Sequence, residues 1–290
     1  MIEVGDEFMI ATVDGDIVAT ARWSWPAAAD GNGAWIVSTH PARLSRGWLR
    51  SASREHGQSS PGGAISVGAV AQAQARYDPF AEWYEQWIGD APPLIAAHGG
   101  LLPAVSGDRV LDAACGQGRM SRYLASLGAD VTGIDISAAM LGKARAAGPG
   151  NITYIHADVT RNLAWWDGRP FGGCTCELAL MDIEDLAGAL STVAAVLRPG
   201  GWFVASIVHP CFPGNERGRS SWPPGPGYES EGWWTSPDHN PDGVRIRVGA
   251  THRKLSTFLN ALHDAGLDAE RFVEPPAPVP TFLLWRCRRR

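Results

Sequence analysis

The sequence predicts an α/β fold, a mostly parallel seven-stranded sheet with an antiparallel terminal strand and helices on both faces. Three observations predict it. Apolar runs alternate with helical stretches in five units across residues 109–208, which forces parallel pairing through right-handed crossovers. The first run, Val110 to Arg119 (VLDAACGQGR), passes straight into two glycines and opens a helix. After a last helix, two strand-like runs flank the proline-rich Pro275 to Pro280 and read as an antiparallel pair.

Composition narrows the partners. A chain of 290 residues, 45% of them hydrophobic, can bury a sizeable core, which argues against a disordered protein. The formal net charge of −5 gives no electrostatic grip on a phosphate backbone, so no nucleic acid partner is expected. No stretch of about 18 uncharged apolar residues appears, so no membrane span is expected. The acidic start (MIEVGDE) lacks a basic leader, and a cytoplasmic location follows as the expectation. Cys115, Cys174, Cys176, Cys211 and Cys287 lack disulfide-framework or metal-ligand spacing and read as buried thiols, with no metal site expected.

Residues 1–66 form an N-terminal extension of unknown role. Phe8 to Val13 and Ile17 to Trp25 pair as a hairpin around a two-residue Asp14-Gly15 turn, and Gly57 to Ser66 reads as flexible linker. The main domain is residues 67–290. It begins with an aromatic helix over 70–90, in which Tyr77, Phe80, Trp83, Tyr84 and Trp87 recur at three- and four-residue spacing. Leu94 to Leu102 adds a short helix.

In the core, 109–209, strand one is Arg109 to Ala114, followed by a helix over Gly118 to Leu127; strand two is Asp130 to Ile136, followed by a helix over Ala138 to Ala147. Strand three is Asn151 to Ala157 and strand four about Cys174 to Met181; the next helix is Leu186 to Leu197, and Pro199-Gly200-Gly201 separates it from strand five, Trp202 to Val208. An acceptor-side loop (211–244) precedes the C-terminal helix and strand pair (251–290), with the helix at Arg253 to Ala265 and the strands at Arg271 to Glu274 and Phe282 to Arg286. The loop exceeds the length that compact domains carry without function, and its aromatics argue against disorder.

From Tyr77 onward, these motifs in this order resemble the class I S-adenosylmethionine-dependent methyltransferases, closest to the ubiquinone/menaquinone methyltransferase-like small-molecule branch. The resemblance rests on Asp112 with Gly116-Gln117-Gly118 after strand one, Asp135 after strand two, Asp158 after strand three, the Tyr77-to-Tyr84 segment and the terminal strand pair. One departure is Phe171-Gly172, where the family has Phe-Asp. The resemblance implies a Rossmann-like fold with S-adenosyl-L-methionine as cofactor. Asp112, Gly116, Gln117 and Gly118 would hold its methionine half, Asp135 its ribose diol, and Ile136, Asp158 and Val159 its adenine. Met181 and Tyr77 complete the expected cofactor contacts. For Asp135 and Asp158 the alternative is helix capping, and for Asp112 support of the glycine turn.

Methyl transfer from a sulfonium to a small-molecule acceptor, a metabolite or natural product, is the expected reaction, by in-line displacement. Orientation carries most of the catalysis, and some acceptors need a base. His209 at the end of strand five and His252 before the last helix are the candidate bases; the alternative for His209 is a loop anchor beside Pro210. Tyr84, Asp182, Trp222, Tyr228, Trp233 and Trp234 are the candidate acceptor-pocket residues, with the aromatic loop as a lid. A homodimer is left open. The competing readings are a non-catalytic S-adenosylmethionine-binding regulator and an NAD-dependent oxidoreductase, whose third fingerprint glycine is Ser121 here.

Overall fold

The computed structural model describes the backbone of 7–11, 17–24 and 34–39, and residues 75–89, 97–98, 100–148, 150–161, 163–211, 227–235, 243–277 and 279–290. The chain divides into two compact units, Met1–Gly68 and Ala69–Arg290. In the first, β1 (Glu7–Ala11), β2 (Ile17–Ser24) and β3 (Ala34–Thr39) form an antiparallel sheet in the order β1-β2-β3. Ala11 pairs with Ile17 at the end of the β1–β2 ladder, β3 extends the expected hairpin, and the Asp14-Gly15 turn lies outside the described residues. The Gly57 to Ser66 linker, residues 70–74, and residues 94–96 and 99 of the expected 94–102 helix lie outside the described residues.

The second unit opens with a 3-10 turn, Asp78–Phe80, that feeds α1 (Ala81–Ile88). The core then alternates as β4 (Arg109–Ala113), α2 (Arg119–Ser126), β5 (Asp130–Asp135), α3 (Ala138–Ala147), β6 (Thr153–His156), β7 (Phe171–Glu177), α4 (Leu186–Val196) and β8 (Leu197–Val208). Next come β9 (Gly232–Trp234), the one-turn α5 (Val244–Arg247), β10 (Ala250–His252), α6 (Leu255–Asp264), β11 (Leu267–Val273) and β12 (Phe282–Arg289). The large sheet has the order β11-β12-β8-β7-β4-β5-β6, with β12 antiparallel to both neighbours. β9 and β10 form a separate antiparallel ribbon.

Apolar alternation places Leu111, Ile134, Cys174, Phe203 and Trp285 in one core layer, under α4 and α6, and Val110, Val131, Trp202, Val204 and Leu284 in the other, against α2. Several boundaries differ from the sequence reading: the aromatic helix begins at Asp78 as a 3-10 turn and ends at Ile88, and β11 runs over Leu267–Val273 where Arg271 to Glu274 was expected. Two further differences lie in the core. Strand four begins at Phe171 and ends at Glu177, because Leu178 turns into the left-handed region (φ 49°) and stops the ladder. Met181 and Asp182 therefore sit in a loop beyond the strand. Pro199-Gly200-Gly201 is not a separate stop: β8 starts at Leu197, which pairs with Phe171, and the ladder shifts register before Gly173 meets Trp202. Gly173 has no side chain because the Trp202 indole lies where its Cβ would be, 1.9 Å away.

The chain leaves β4 for β5 and β6 on one side and returns to β7 and β8 on the other. The crevice at the carboxyl ends of β4 and β7 is thus the topological switch point, where open α/β sheets bind ligands.

Candidate functional site

Four carboxylates, Asp112, Asp135, Asp158 and Glu177, gather at the carboxyl edge of the sheet. Asp112 near the end of β4 is 1% exposed and accepts hydroxyl hydrogen bonds from Ser121 on α2 (2.6 Å) and Thr175 on β7 (2.9 Å). Beyond it the chain turns through Ala114 (φ 53°), Gly116 (φ 54°) and Gly118 (φ 74°). Gly118 faces the Tyr154 phenol, whose oxygen would lie 2.3 Å from an added Cβ, so the turn runs close to β6. Gln117 is half-buried, and its carbonyl accepts from Arg122 at 2.8 Å.

Asp135 ends β5 and ties this turn to the next helix. One oxygen accepts the Gly116 N–H and the other the Ser137 N–H, both at 2.7 Å. Capping of α3 falls to Ser137, which accepts from the Met140 N–H, and to Asp78, which accepts from Ser137 Oγ (2.6 Å) and the Ala139 N–H (3.2 Å). Each Asp135 oxygen retains a lone pair for another donor. Ile136 follows with 36% of its surface exposed. Asp158 does not cap a helix; it closes an Asx turn, accepting from the Thr160 N–H (2.9 Å), Thr160 Oγ1 (2.7 Å) and Arg161 Nε (2.9 Å). Val159 is buried in the core.

These environments split the carboxylates electrostatically. Burial pushes Asp112 up to about 6 against the two hydroxyl hydrogen bonds, with Asp135 nearby adding to the rise. Burial also raises Asp135, while its two backbone N–H donors work the other way. For Asp158, burial is outweighed by Thr160 and Arg161, which hold it below its ordinary value. Glu177, half-buried at the end of β7, is pushed up to about 7 by burial and Asp112, with Arg119 opposing. Glu177 was absent from the sequence reading, since the strand was expected to run past it.

On the other side of the crevice, Asp182 holds two distant segments. Its oxygens accept from the Tyr77 hydroxyl (2.8 Å) and from Arg245 Nη1 on α5 (2.5 Å). Tyr84 on α1 meets Tyr77 edge-on, ring centroids 5.2 Å apart. Burial pushes Tyr84 up to about 12, and Tyr77 rises for the same reason, with Asp182 adding to it. The neighbouring loop is clasped as well: the Met181 carbonyl accepts the Thr251 N–H (2.7 Å), and Arg253, 7% exposed, donates to the carbonyls of Leu180 (3.1 Å), Ile183 (2.7 Å) and Glu184 (2.5 Å). Neither Arg245 nor Arg253 could be singled out in sequence, because only folding brings them 63 to 73 residues back to this loop.

The two histidines separate. His209 is 3% exposed; its Nδ1 accepts the Cys211 N–H (3.1 Å), which leaves the proton of the neutral ring on Nε2, directed at Glu274 (2.8 Å). Both ring nitrogens are thus engaged, an arrangement that fits the loop-anchor alternative. His252, 8% exposed, directs Nε2 at the Tyr228 carbonyl (2.9 Å), which can only accept, so in the neutral ring the lone pair is on Nδ1. Tyr228 in turn accepts the Leu255 N–H at its hydroxyl (2.8 Å). Trp233 is 51% exposed beneath the Arg76 guanidinium, and half-buried Trp234 pairs with Ala250 across the ribbon. Trp222 lies outside the described residues. Among the described residues there is no cluster of three metal-ligating side chains and no helix long and apolar enough to cross a membrane.

Comparison with known proteins agrees with this geometry. A family model described as a methyltransferase domain matches residues 111–205. The chain is 39% identical over 137 residues to a malonyl-acyl-carrier-protein O-methyltransferase of Pectobacterium atrosepticum, covering 46% of this chain and 50% of that protein. It is 37% identical over 140 residues to a demethylmenaquinone methyltransferase of Clavibacter sepedonicus, covering 46% and 56%. The chain thus spans about half the length of these curated relatives. Among solved structures it is similar to an S-adenosylmethionine-dependent methyltransferase from Mesorhizobium loti, with 35% identity, a TM-score of 0.58, and coverage of 69% of this chain and 99% of that one. A match across nearly the whole of that structure, on a sheet with its acids and glycines at the switch point, leads to one conclusion: the chain belongs to the S-adenosylmethionine-dependent methyltransferases.

Proposed function

We propose that this protein transfers a methyl group from S-adenosylmethionine to a small-molecule acceptor, and that the donor lies across the carboxyl ends of β4, β5 and β6. The observation that carries the reading is Asp135: a buried carboxylate with lone pairs to spare, fixed by the Gly116 and Ser137 N–H groups beside the exposed Ile136. Such a group fits a ribose diol, and Ile136 fits an adenine face. Asp112 and Glu177 supply negative charge where the cationic methionine half would lie, next to the glycine turn. Asp158 and Val159 flank the adenine end, while Met181 and Tyr77 close the opposite end. When bound, the donor supplies a sulfonium methyl that needs no further activation. The protein's share is then to align the acceptor and exclude water, worth about 7 to 11 kcal/mol when alignment is good.

The acceptor side consists of Tyr84, Asp182, Tyr228, Trp233 and Trp234, with His252 Nδ1 the available basic nitrogen among the two candidates. A relative named as a malonyl-acyl-carrier-protein O-methyltransferase favours an oxygen nucleophile. We place the protein in the cytoplasm.

Titration calorimetry with S-adenosylhomocysteine and NADH tests the reading. Binding of the first without the second is the expected result, and NADH binding would return the oxidoreductase to consideration. Turnover of radiolabelled donor with a panel of phenols, carboxylic acids and amines then separates an enzyme from a regulator.

A further inference from the structure

Arg245 makes less use of its guanidinium than its burial would suggest. Its side chain is 17% exposed, yet the group donates through Nη1 alone, to Asp182 (2.5 Å) and to the Gly249 carbonyl (3.1 Å). Among the described residues Nε and Nη2 have no partner, and neither belongs to the buried unsatisfied atoms, so solvent reaches that edge. Asp182, itself anchored by the Tyr77 hydroxyl, fixes the orientation of the fork. Tyr84 meets Tyr77 edge-on with ring centroids 5.2 Å apart, and it feels the charge of both Arg245 and Arg119, the first residue of α2 after the glycine turn.

We propose that Arg245 is a specificity residue of the acceptor site, and that its open Nε/Nη2 edge takes an acceptor bearing an anionic oxygen, a carboxylate or an acidic enol or phenol. This rests on the methyl-transfer reading and deepens it. A planar fork with two parallel N–H donors matches a carboxylate, and such charge-assisted pairs are roughly twice as strong as neutral ones. An acceptor oxygen that arrives ionised needs no proton removed, which suits a crevice where His209 has both nitrogens engaged. Asp182 lies on the far side of the guanidinium from that edge and keeps it charged despite burial.

The test uses the full-length protein saturated with S-adenosylhomocysteine and titrates benzoate against its neutral isostere benzamide. Wild type should bind benzoate about ten-fold or more tighter than benzamide. Arg245→Gln should erase the preference, and Arg245→Lys, which keeps the charge opposite Asp182 without the fork, should restore only part of it. Affinity for S-adenosylhomocysteine should stay within about two-fold in both variants, which also reports that they are folded. Equal or absent binding of the two probes by wild type, or a preference that survives in Arg245→Gln, overturns the assignment. Absent S-adenosylhomocysteine binding in wild type would instead overturn the methyl-transfer reading beneath it.

Discussion

The two walls of the crevice are built differently. The wall we assign to the donor is mostly local: Asp112, Gly116, Asp135 and Ser137 lie within 26 residues, Asp135 is held by two backbone N–H groups, and Thr175 adds one contact from 63 residues away. The opposite wall is assembled from afar, with Tyr77, Asp182, Arg245 and Arg253 meeting through long side chains across 63 to 105 residues of chain. A wall made of backbone donors holds one ligand shape, whereas a wall made of side-chain charge can be re-specified by single substitutions. This suits a constant methyl donor and a variable acceptor.

Four substitutions can break or sharpen that contrast. Asp135→Ala strikes the donor wall hardest. Losing two charged hydrogen bonds to the ribose costs about 3 kcal/mol or more, so calorimetry should find S-adenosylhomocysteine affinity down at least about 100-fold in a protein with wild-type circular dichroism. Unchanged affinity would place the donor elsewhere.

Arg253→Met tests the distant wall. Three loop carbonyls lose their donor while the buried volume is roughly kept, and denaturant melts should show about 3 kcal/mol of lost stability. A change below about 0.5 kcal/mol would mean the loop holds itself.

Asp112→Asn probes the donor wall through pH. A carboxyl raised in the folded state to about 6 binds its proton more tightly there than in the unfolded chain. Wild-type stability therefore falls as pH rises from near 4 to 6, and the penalty persists above. The asparagine variant escapes it and should gain on the order of 2 kcal/mol relative to wild type between pH 4 and pH 8, while binding the cationic donor less well. Parallel stability curves for the two proteins would contradict the assigned burial penalty.

The smallest effect is at Ala114, whose left-handed backbone (φ 53°) carries a Cβ that glycine would lack. Ala114→Gly should stabilise by roughly 0.5 to 1 kcal/mol, read as a rise in melting temperature. Together with Leu178, Ala114 places both non-glycine residues of positive φ among the described residues at the carboxyl ends of adjacent strands. Sparsely populated backbone of this kind concentrates at working sites.

The order of strands and helices in the core was legible because apolar period and glycine punctuation are local properties. The places of Asp112, Asp135 and Asp158 at the strand ends were legible in the same way, since an acid after a strand declares itself by position. Glu177 was missed because the apolar run continues through Leu180, and nothing in it announces that Leu178 turns left-handed. His209 was a candidate base by its place in the chain; the Cys211 N–H and Glu274 that engage its two nitrogens are a matter of folded geometry.

The sequence by itself determined the glycine turn and the Asp135 junction of the wall proposed for the donor, because the Gly116 and Ser137 N–H contacts to Asp135 span 19 residues or fewer and local pattern fixes them. Only the tertiary structure decided the acceptor half. Tyr77, Asp182 and Arg245 carry no common motif, and their hydrogen bonds exist because a sheet of seven strands and the ribbon beside it bring three remote segments to one edge.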